Sequence, residues 1–438
     1  MTYWCHIKKI KLDNNLIIYK GVSMKKTLLV FIFLTAGLVV FGEEVTLDTL
    51  LERITETSYR KEMYELEQKK TEALEKFYKI DNYNGVKSSV TTKYDDTERI
   101  YRTTGRAEFG DLYIEGKEVP NKDDDLIFGI NKNIKNMIFS KNDSNLLKND
   151  LKKESDKYTF LKNMEEQKIA LIKLYRDYKT MEFEIKIKKN GLKTLKSEEK
   201  TLEKSFELGA IPRIELESLQ YSRKNLEIEI ETLEENLKKI KTRFLYDFKI
   251  DISGKTLANI RPNYTEINDY ISTAGYKDIE KLRIEKDIIK ENIRYMNYDD
   301  KMPDISLGLE RDSQINENRI VFKISKPLFY YNADLENEKT SYLQQEILLN
   351  QKIEENNAEK LKIKSNYANY IKEYRVLKNK AELEKNKYEI KKLEYSLGKI
   401  DYLEVMESFD DYMEYEVSQE KAKNILNSYV YEIMVKGE

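Results

Sequence analysis

The chain contains one short stretch twice: LGAIPRIEL at residues 208–216 and LGKIDYLEV at residues 397–405. In both copies, a long segment with apolar residues at steps of three and four runs into Leu-Gly, turns, and continues into a second such segment. Glycine is favoured there because it tolerates the left-handed backbone that closes a helix. An acid in the next first turn suits the positive end of the new helix dipole. The pattern predicts two helical hairpins with matched tips.

The segments on either side of these tips are unusually long. The predicted long helices run from about residue 142 to Leu208 and from Ala333 to Leu397, and their return helices run from Arg213 to Phe248 and from Asp401 to Val435. At a rise of 1.5 Å per residue, a helix of about 63 residues is about 95 Å long, several times the width of an ordinary domain. The composition, with 36% charged residues and only 5 Pro, is also typical of long helices.

Alternating apolar and polar residues predict four strands in two pairs. The first pair covers residues 86–94 and 126–134, and the second covers residues 305–310 and 320–325. The polar segment from Asp95 to Asp125 is long for a loop, so it is either a functional surface loop or partly strand. A helix from Thr46, its N-cap, to about Ile80 precedes the first pair, and one or two helices precede the second. The chain is therefore predicted to be an internal duplication, with repeats at residues 43–254 and 255–438.

The N-terminal region has the pattern of a secretory signal. Met24-Lys25-Lys26 is followed by an apolar run that ends at Phe41 and by Gly42, after which we expect cleavage. The apolar run is shorter than the roughly 20 residues that a membrane-spanning helix needs, so secretion is expected rather than anchoring. Residues 24–42 are then the signal peptide, and residues 1–23 are interpreted as a misassigned upstream start.

This interpretation limits the chemistry of the mature chain. Trp4, Cys5 and His6 are the only Trp, Cys and His in the sequence, and all three precede the signal peptide. Thiol nucleophiles, histidine bases and Cys or His metal sites are therefore not expected. The net charge of −2 gives no footprint for nucleic acid. With no nucleophile-base pair or pocket motif visible, we expect no enzymatic activity, no metal and no cofactor.

Four strands cannot close a barrel on their own. A closed barrel needs about eight strands or more, and open sheet edges invite aggregation. The long helices have the same difficulty, because no globular core can cover them. We therefore expect an oligomer in which several copies close one barrel from their strands and stack their helices side by side.

Together these features resemble the TolC-like outer-membrane efflux protein family. The resemblance covers essentially the whole mature chain and is most specific at the two Leu-Gly tips. It implies a mostly α fold with a small β part: a homotrimer with a twelve-stranded outer-membrane β-barrel, four strands from each chain, continued by a helical barrel across the periplasm. It also implies a passive exit duct of a tripartite efflux or type I secretion system, with outer-membrane lipid, a periplasmic adaptor protein and an inner-membrane pump as partners.

The resemblance also implies roles for residues at the tips. The implied adaptor contacts are Leu208, Gly209, Ala210, Leu397, Gly398 and Lys399, and the implied pore-entrance acids are Glu215, Glu404 and Glu407. Three copies of a carboxylate around an axis make a negative ring that favours cations. The family often has an arginine near Ile400 that latches the entrance. Here Ile400 removes that charge, and Lys399 is the candidate substitute.

Other interpretations of the same residues stay open. Gly209 and Gly398 are needed as helix caps in any protein with these turns, and Glu215 and Glu404 suit a helix N-terminus by charge alone. Glu407, one turn further in, has less local reason to be acidic. The rival functions are a periplasmic coiled-coil adaptor, another structural envelope protein, and a periplasmic hydrolase, none of which accounts for two strand pairs between long helices.

Overall fold

The computed structural model describes residues 44–80, 83–118, 125–313, 316–327 and 330–438. The predicted upstream start and signal peptide lie outside the described residues. In chain order the elements are β1 Glu44–Val45, α1 Leu47–Thr57, α2 Tyr59–Ile80, β2 Lys87–Asp95, β3 Ile100–Phe109, β4 Leu112–Glu118, β5 Asp125–Asn133, α3 Ile134–Ile138, α4 Lys141–Glu207, α5 Arg213–Phe248, β6 Thr256–Leu257, α6 Ile267–Thr273, α7 Tyr276–Lys301, β7 Asp304–Asp312, β8 Glu317–Ser325, α8 Ala333–Ser396 and α9 Tyr402–Gly437. The chain is mostly helical with a small sheet part, as predicted.

The two predicted helical hairpins are confirmed. Helix α4 has 67 residues, and its first turn is closed by a capping box in which Ser140 and Asp143 exchange side-chain-to-backbone hydrogen bonds. Helix α8 has 64 residues and begins at the N-cap Asn332. At 1.5 Å per residue, each is about 100 Å long. Helix α4 is central, since α2, α5, α7 and α9 all pack along it.

A buried core lies midway along α4, where the chain's short elements collect. Ile54 of α1, Leu171 and Tyr175 of α4, and Phe244 of α5 are fully buried there. The Tyr175 hydroxyl lies within hydrogen-bond distance of two carbonyl oxygens, at 3.1 Å from Val45 and 2.7 Å from Ala258. These carbonyls flank the parallel β1–β6 pair. The core therefore holds the short strands β1 and β6 against the middle of α4.

The helix predicted from Thr46 to about Ile80 is interrupted, and of the one or two helices predicted before the second strand pair the structure has two. Thr46 is the N-cap of α1 as predicted, but the helix ends at Ser58, whose extended backbone separates α1 from α2. The Ser58 hydroxyl donates to Gln167 of α4 at 2.6 Å, which holds this break against the long helix. Gly275 separates α6 from α7 with a φ of +78°, a conformation that glycine adopts without strain. Among the described residues, no helix is both long and apolar enough to cross a membrane.

The prediction of four strands is wrong. The main sheet has six strands in the order β2-β3-β4-β5-β7-β8, and every neighbouring pair is antiparallel. Strands β3 and β4 lie in the polar segment between Asp95 and Asp125, so the alternative that this segment is partly strand is confirmed. Its alternation is hard to see in the sequence because Thr103, Gly105 and Gly116 share a sheet face with large apolar residues but are themselves small or polar. The prediction of a twelve-stranded barrel assumed four strands from each chain, and the six-stranded sheet does not support that number.

Candidate functional site: the sheet face and the hairpin tips

One face of the six-stranded sheet carries large, exposed apolar side chains on all six strands. Residues that pair directly across antiparallel strands share a face, and the registers connect Ala107, Ile114 and Phe128 into one row across β3, β4 and β5. The large apolar residues of this face are Val90, Tyr94, Tyr101, Phe109, Leu112, Ile114, Leu126, Phe128, Ile130, Leu307, Leu309, Ile320, Phe322 and Ile324. Their exposed fractions run from 39% at Leu126 to 77% at Ile320. A contiguous apolar surface of this extent marks an interaction surface.

The opposite face of the sheet is polar and carries ion pairs between strands. Arg106 of β3 contacts Glu108 at 2.5 Å and Glu115 of β4 at 3.1 Å. Its guanidinium also lies 4.0 Å from the ring centre of Tyr113, whose hydroxyl donates to Glu310 of β7. The two faces therefore suit different surroundings, one apolar and one aqueous.

Five of the six strands of the main sheet have the length that a membrane barrel requires. Strand β3 has ten residues, and β2, β5, β7 and β8 have nine each, whereas β4 has seven. A tilted strand crosses a bilayer in about 9–11 residues. Length and alternation therefore agree with a sheet that has lipid on one side and water on the other.

The two hairpin tips have the same backbone geometry. Gly209 and Gly398 both have a φ of +69°, and the residue after each glycine donates its N–H to a carbonyl five residues back: Ala210 to Ser205 at 2.8 Å and Lys399 to Glu394 at 3.0 Å. This is the Schellman motif that ends a helix at glycine. A Cβ built at either glycine meets no atom within 4 Å, so backbone conformation alone requires glycine here.

The leucine before each glycine is not explained by the cap. Leu208 is 84% exposed and Leu397 is 61% exposed, at the outermost point of each hairpin. Ala210 and Lys399 are exposed beside them. Of the six predicted adaptor contacts, the two leucines are therefore the ones that lack an internal structural reason. Contact with an adaptor stays a prediction for all six.

The two tips pack together as one unit. Tyr402 of α9 is buried, and its hydroxyl donates to Glu198 of α4, which also accepts from Lys392 of α8 at 3.0 Å. Burial and the bond to Glu198 raise the pKa of Tyr402, so its hydroxyl stays a donor. A shared apolar cluster that includes Leu219 of α5 and Phe409 of α9 lies beneath these bonds. Glu198 therefore connects the first hairpin to both helices of the second.

The three predicted entrance acids lie in three different environments. Glu215 is buried, and its Oε2 has no hydrogen-bond partner among the described residues. Burial raises the pKa of Glu215 and Asp401 adds to this, while a hydrogen bond from the backbone of Tyr402 lowers it. Glu404 forms an ion pair with Lys391 of α8, and Glu407 is exposed. That the three acids line a pore stays a prediction.

Sequence reasoning gave no role to four residues that form the contacts at the tips: Glu198, Lys391, Lys392 and Tyr402. Lys391 and Glu404 lie at nearly equal distances from the turn at Gly398, so a count along the hairpin places them opposite each other. Glu198 joins the two helical hairpins, and nothing in the local sequence indicates its partners. Lys399, proposed as the substitute for the family arginine, is exposed, and Ile400 instead packs against the apolar cluster.

The fold is shared with solved outer-membrane channels over nearly the whole chain. VceC, an outer-membrane protein from Vibrio cholerae, matches with a TM-score of 0.65 and 12% identity over 89% of this chain and 95% of that one. The chain has the TolC-like fold. The open MtrE channel of Neisseria gonorrhoeae (TM-score 0.63, 11% identity, 89% of this chain and 88% of that one) shares it. The CmeC outer-membrane channel of Campylobacter jejuni also shares it, with a TM-score of 0.61 and 11% identity over 89% of this chain and 85% of that one.

The TolC-like fold predicted from the two tips is thereby confirmed. Identities of 11–12% establish the fold alone. No protein-family model and no curated protein matches the sequence. The function is therefore inferred from the exposed surfaces of this chain.

Proposed function

We propose that the chain is an outer-membrane exit channel. It acts as a homotrimer in a tripartite efflux or type I secretion system and exports passively what an inner-membrane pump and a periplasmic adaptor deliver. The observation that carries this proposal is the exposed apolar face of the sheet. Lipid removes such a face from water, and each Å² of apolar surface that stays in water costs roughly 25 cal/mol.

The arrangement of the helices supports the same function. Strand β5 ends at Asn133, close to the start of α4, and the tip at Gly209 follows the end of α4. The sheet and the tips therefore lie at opposite ends of a helix that is about 100 Å long. A sheet in the outer membrane then places the tips deep in the periplasm, where the exposed Leu208 and Leu397 contact the adaptor.

The edges of the sheet favour an oligomer. Within the described part of the chain, β2 and β8 each have a partner strand on one side only. Open edges are not tolerated inside a bilayer, because every backbone polar group there must be paired. Neighbouring copies in a trimer supply these partners. The two repeats at residues 43–254 and 255–438, exported after removal of residues 24–42, each contribute one helical hairpin to the tube.

The rival adaptor or structural envelope protein leaves the sheet unexplained. Either would keep fourteen large, exposed apolar side chains in water on one sheet face. A periplasmic hydrolase has the same difficulty. The channel alone assigns a partner to this face.

Reconstitution tests the proposal. Protein purified in detergent is expected to be a trimer by native mass spectrometry, to float with lipid vesicles, and to give stepwise conductance in planar bilayers. A monomer that stays with the aqueous phase and leaves bilayers silent would overturn it. The single change Phe322→Lys on the apolar face, with Val321→Lys on the opposite face as its control, shows whether insertion depends on this surface.

A further inference from the structure

We propose that the β3–β4 hairpin is part of the barrel wall, so that three chains of six strands each close an eighteen-stranded barrel. This inference rests on the proposed trimeric channel. It concerns the width and lining of the pore on the membrane side. Four observations support it.

The first observation is the position of the hairpin within the sheet. Strands β3 and β4 lie between β2 and β5, and all their pairings are continuous, from Lys87–Glu108 to Asp95–Ile100 on one side and from Leu112–Ile130 to Lys117–Asp125 on the other. A hairpin projecting from the sheet would leave β2 and β5 paired with each other instead. Here β2 and β5 are neighbours only through β3 and β4.

The second observation is that the hairpin preserves the attachments of the wall to the helices. Strand β2 follows α2, and β5 leads into α3 and α4. Strands β3 and β4 cross the sheet once in each direction. The start of β2 and the end of β5 therefore lie at the same end of the strands, as they would without the hairpin. The even total of six also leaves β8 antiparallel to the β2 of the next copy, as closure of an antiparallel barrel requires.

The third observation is that the hairpin has the same two faces as the rest of the sheet. Phe109, Leu112 and Ile114 are 44–52% exposed on the apolar face. Arg106 and Glu115 form an ion pair on the polar face. A hairpin that stands in water gains nothing from the apolar side, whereas a wall hairpin needs both sides.

The fourth observation is the charge that the hairpin adds to the polar face. Lys117 pairs with Glu115 at 3.1 Å, and Arg106 bridges Glu108 and Glu115. The polar face is the lumen side in a barrel whose apolar face meets lipid. Three copies of this hairpin would therefore line the lumen with ion-paired charges.

The added strands change the size of the barrel. With strands about 4.8 Å apart and tilted by about 40°, eighteen strands give a backbone diameter of about 36 Å, compared with about 24 Å for twelve. Barrels of 16–18 strands leave an aqueous channel. The membrane end is then wide, and the helical end sets the resistance.

Site-directed spin labelling of trimers in lipid nanodiscs tests the proposal. Single cysteines replace Thr103 and Ile114 on the apolar face and their neighbours Thr104 and Glu115 on the polar face, and each label is relaxed by dissolved oxygen or by a water-soluble nickel chelate. We expect labels at Thr103 and Ile114 to respond to oxygen and labels at Thr104 and Glu115 to respond to the nickel chelate. Nickel access at all four positions would place the hairpin outside the bilayer and overturn the inference.

Labels at Val321 and Phe322 serve as the reference, since β8 belongs to the wall with or without the hairpin. One outcome is a conducting trimer in which accessibility to oxygen and nickel alternates between the labels at Val321 and Phe322 but not between the hairpin labels. That result would support the channel and overturn the eighteen-stranded barrel. If the reference pair does not alternate and no conductance appears, the proposed function itself fails.

Deletion of residues 100–118 provides a second measurement on conducting trimers. The deletion joins β2 to β5 and leaves four strands, so the largest polyethylene glycol that enters from the sheet end should be smaller than for the full chain. Equal size limits for the two proteins would overturn the inference. Where the deletion variant does not assemble, the labelling result decides.

Discussion

The hydroxyl of Tyr402 at the start of α9 donates to the carboxylate of Glu198 on α4, and this bond joins the two helical hairpins beside their tips. Lys392 of α8 binds the other oxygen of the same carboxylate. One acid of the first hairpin therefore holds both helices of the second. In a channel, such a contact resists separation of the two tips.

Removing the Tyr402 hydroxyl is expected to loosen the tips without unfolding the chain. A hydrogen bond to a charged group contributes about 1.5–3 kcal/mol, so Tyr402→Phe should speed amide hydrogen exchange by roughly tenfold or more in residues 208–216 and 397–405. The control is Tyr395→Phe, since Tyr395 packs against Tyr402 at 5.3 Å between ring centres but makes no hydrogen bond through its hydroxyl to the described residues. Equal exchange rates in the two variants would contradict the role of the bond.

Glu215→Gln is expected to stabilise the tip at neutral pH. Burial raises the pKa of this carboxyl above its ordinary value of 4.5, so the folded state favours the protonated form. The stability that this group contributes is therefore complete below its unfolded pKa and is lost as the pH rises through its folded pKa. The variant cannot ionise, so its advantage in melting temperature should grow between pH 4 and pH 7. Glu407→Gln, which changes an exposed carboxylate near the same tip, is the control for the loss of one negative charge.

The sequence carried enough information for the helices but not for the whole sheet. Long helices show themselves because apolar residues recur over dozens of positions, and glycine at a left-handed turn marks their ends at Gly209 and Gly398. Strands β3 and β4 are hard to recognise in the sequence because small or hydroxyl-bearing residues, such as Thr103, Gly105 and Gly116, replace large apolar residues on the apolar face of the sheet. A weak alternation is easily overlooked among polar residues.

The acids at the tips illustrate a second limit. The resemblance gives Glu215, Glu404 and Glu407 the same role, yet Glu215 is buried, Glu404 is ion-paired and Glu407 is exposed. Burial and pairing depend on neighbours from other helices, such as Tyr402 and Lys391. Spacing along one helix cannot supply that information.

A lysine on the apolar sheet face should destabilise the protein in a membrane. Phe322 and Val321 are adjacent in β8 and lie at the same depth, but Phe322 is on the apolar face and Val321 is on the polar face. A lysine facing lipid near the middle of a bilayer costs about 2–4 kcal/mol, while one facing the lumen costs little. We expect Phe322→Lys to lower the midpoint of urea unfolding in vesicles and Val321→Lys to leave it nearly unchanged. Equal shifts would mean that both faces meet the same medium.

Charge on the exposed tip leucines should block partner docking while sparing the fold. Leu208→Glu and Leu397→Glu change side chains that are 84% and 61% exposed, so the melting temperature should stay within about 1 °C of that of the unchanged chain. Drug or protein export in cells should fall severely if an adaptor packs on these leucines. Gly209→Ala is the contrasting variant, since a side chain at φ +69° strains the cap by about 1 kcal/mol. Normal export by both leucine variants would show that Leu208 and Leu397 are not part of the surface on which the adaptor docks.

Opposite changes in ion selectivity are expected from Glu407→Gln and Lys391→Gln. Glu407 is exposed, whereas Glu404 is neutralised by Lys391, so Glu407 is the acid best placed to form a negative ring in a trimer. Neutralising Glu407 should reduce the preference for cations, and neutralising Lys391 should increase it by releasing Glu404. Reversal potentials across a KCl gradient measure both effects, and high salt should shrink both because charges in water are screened. Shifts of the same sign in the two variants would show that these groups do not face the permeation path together.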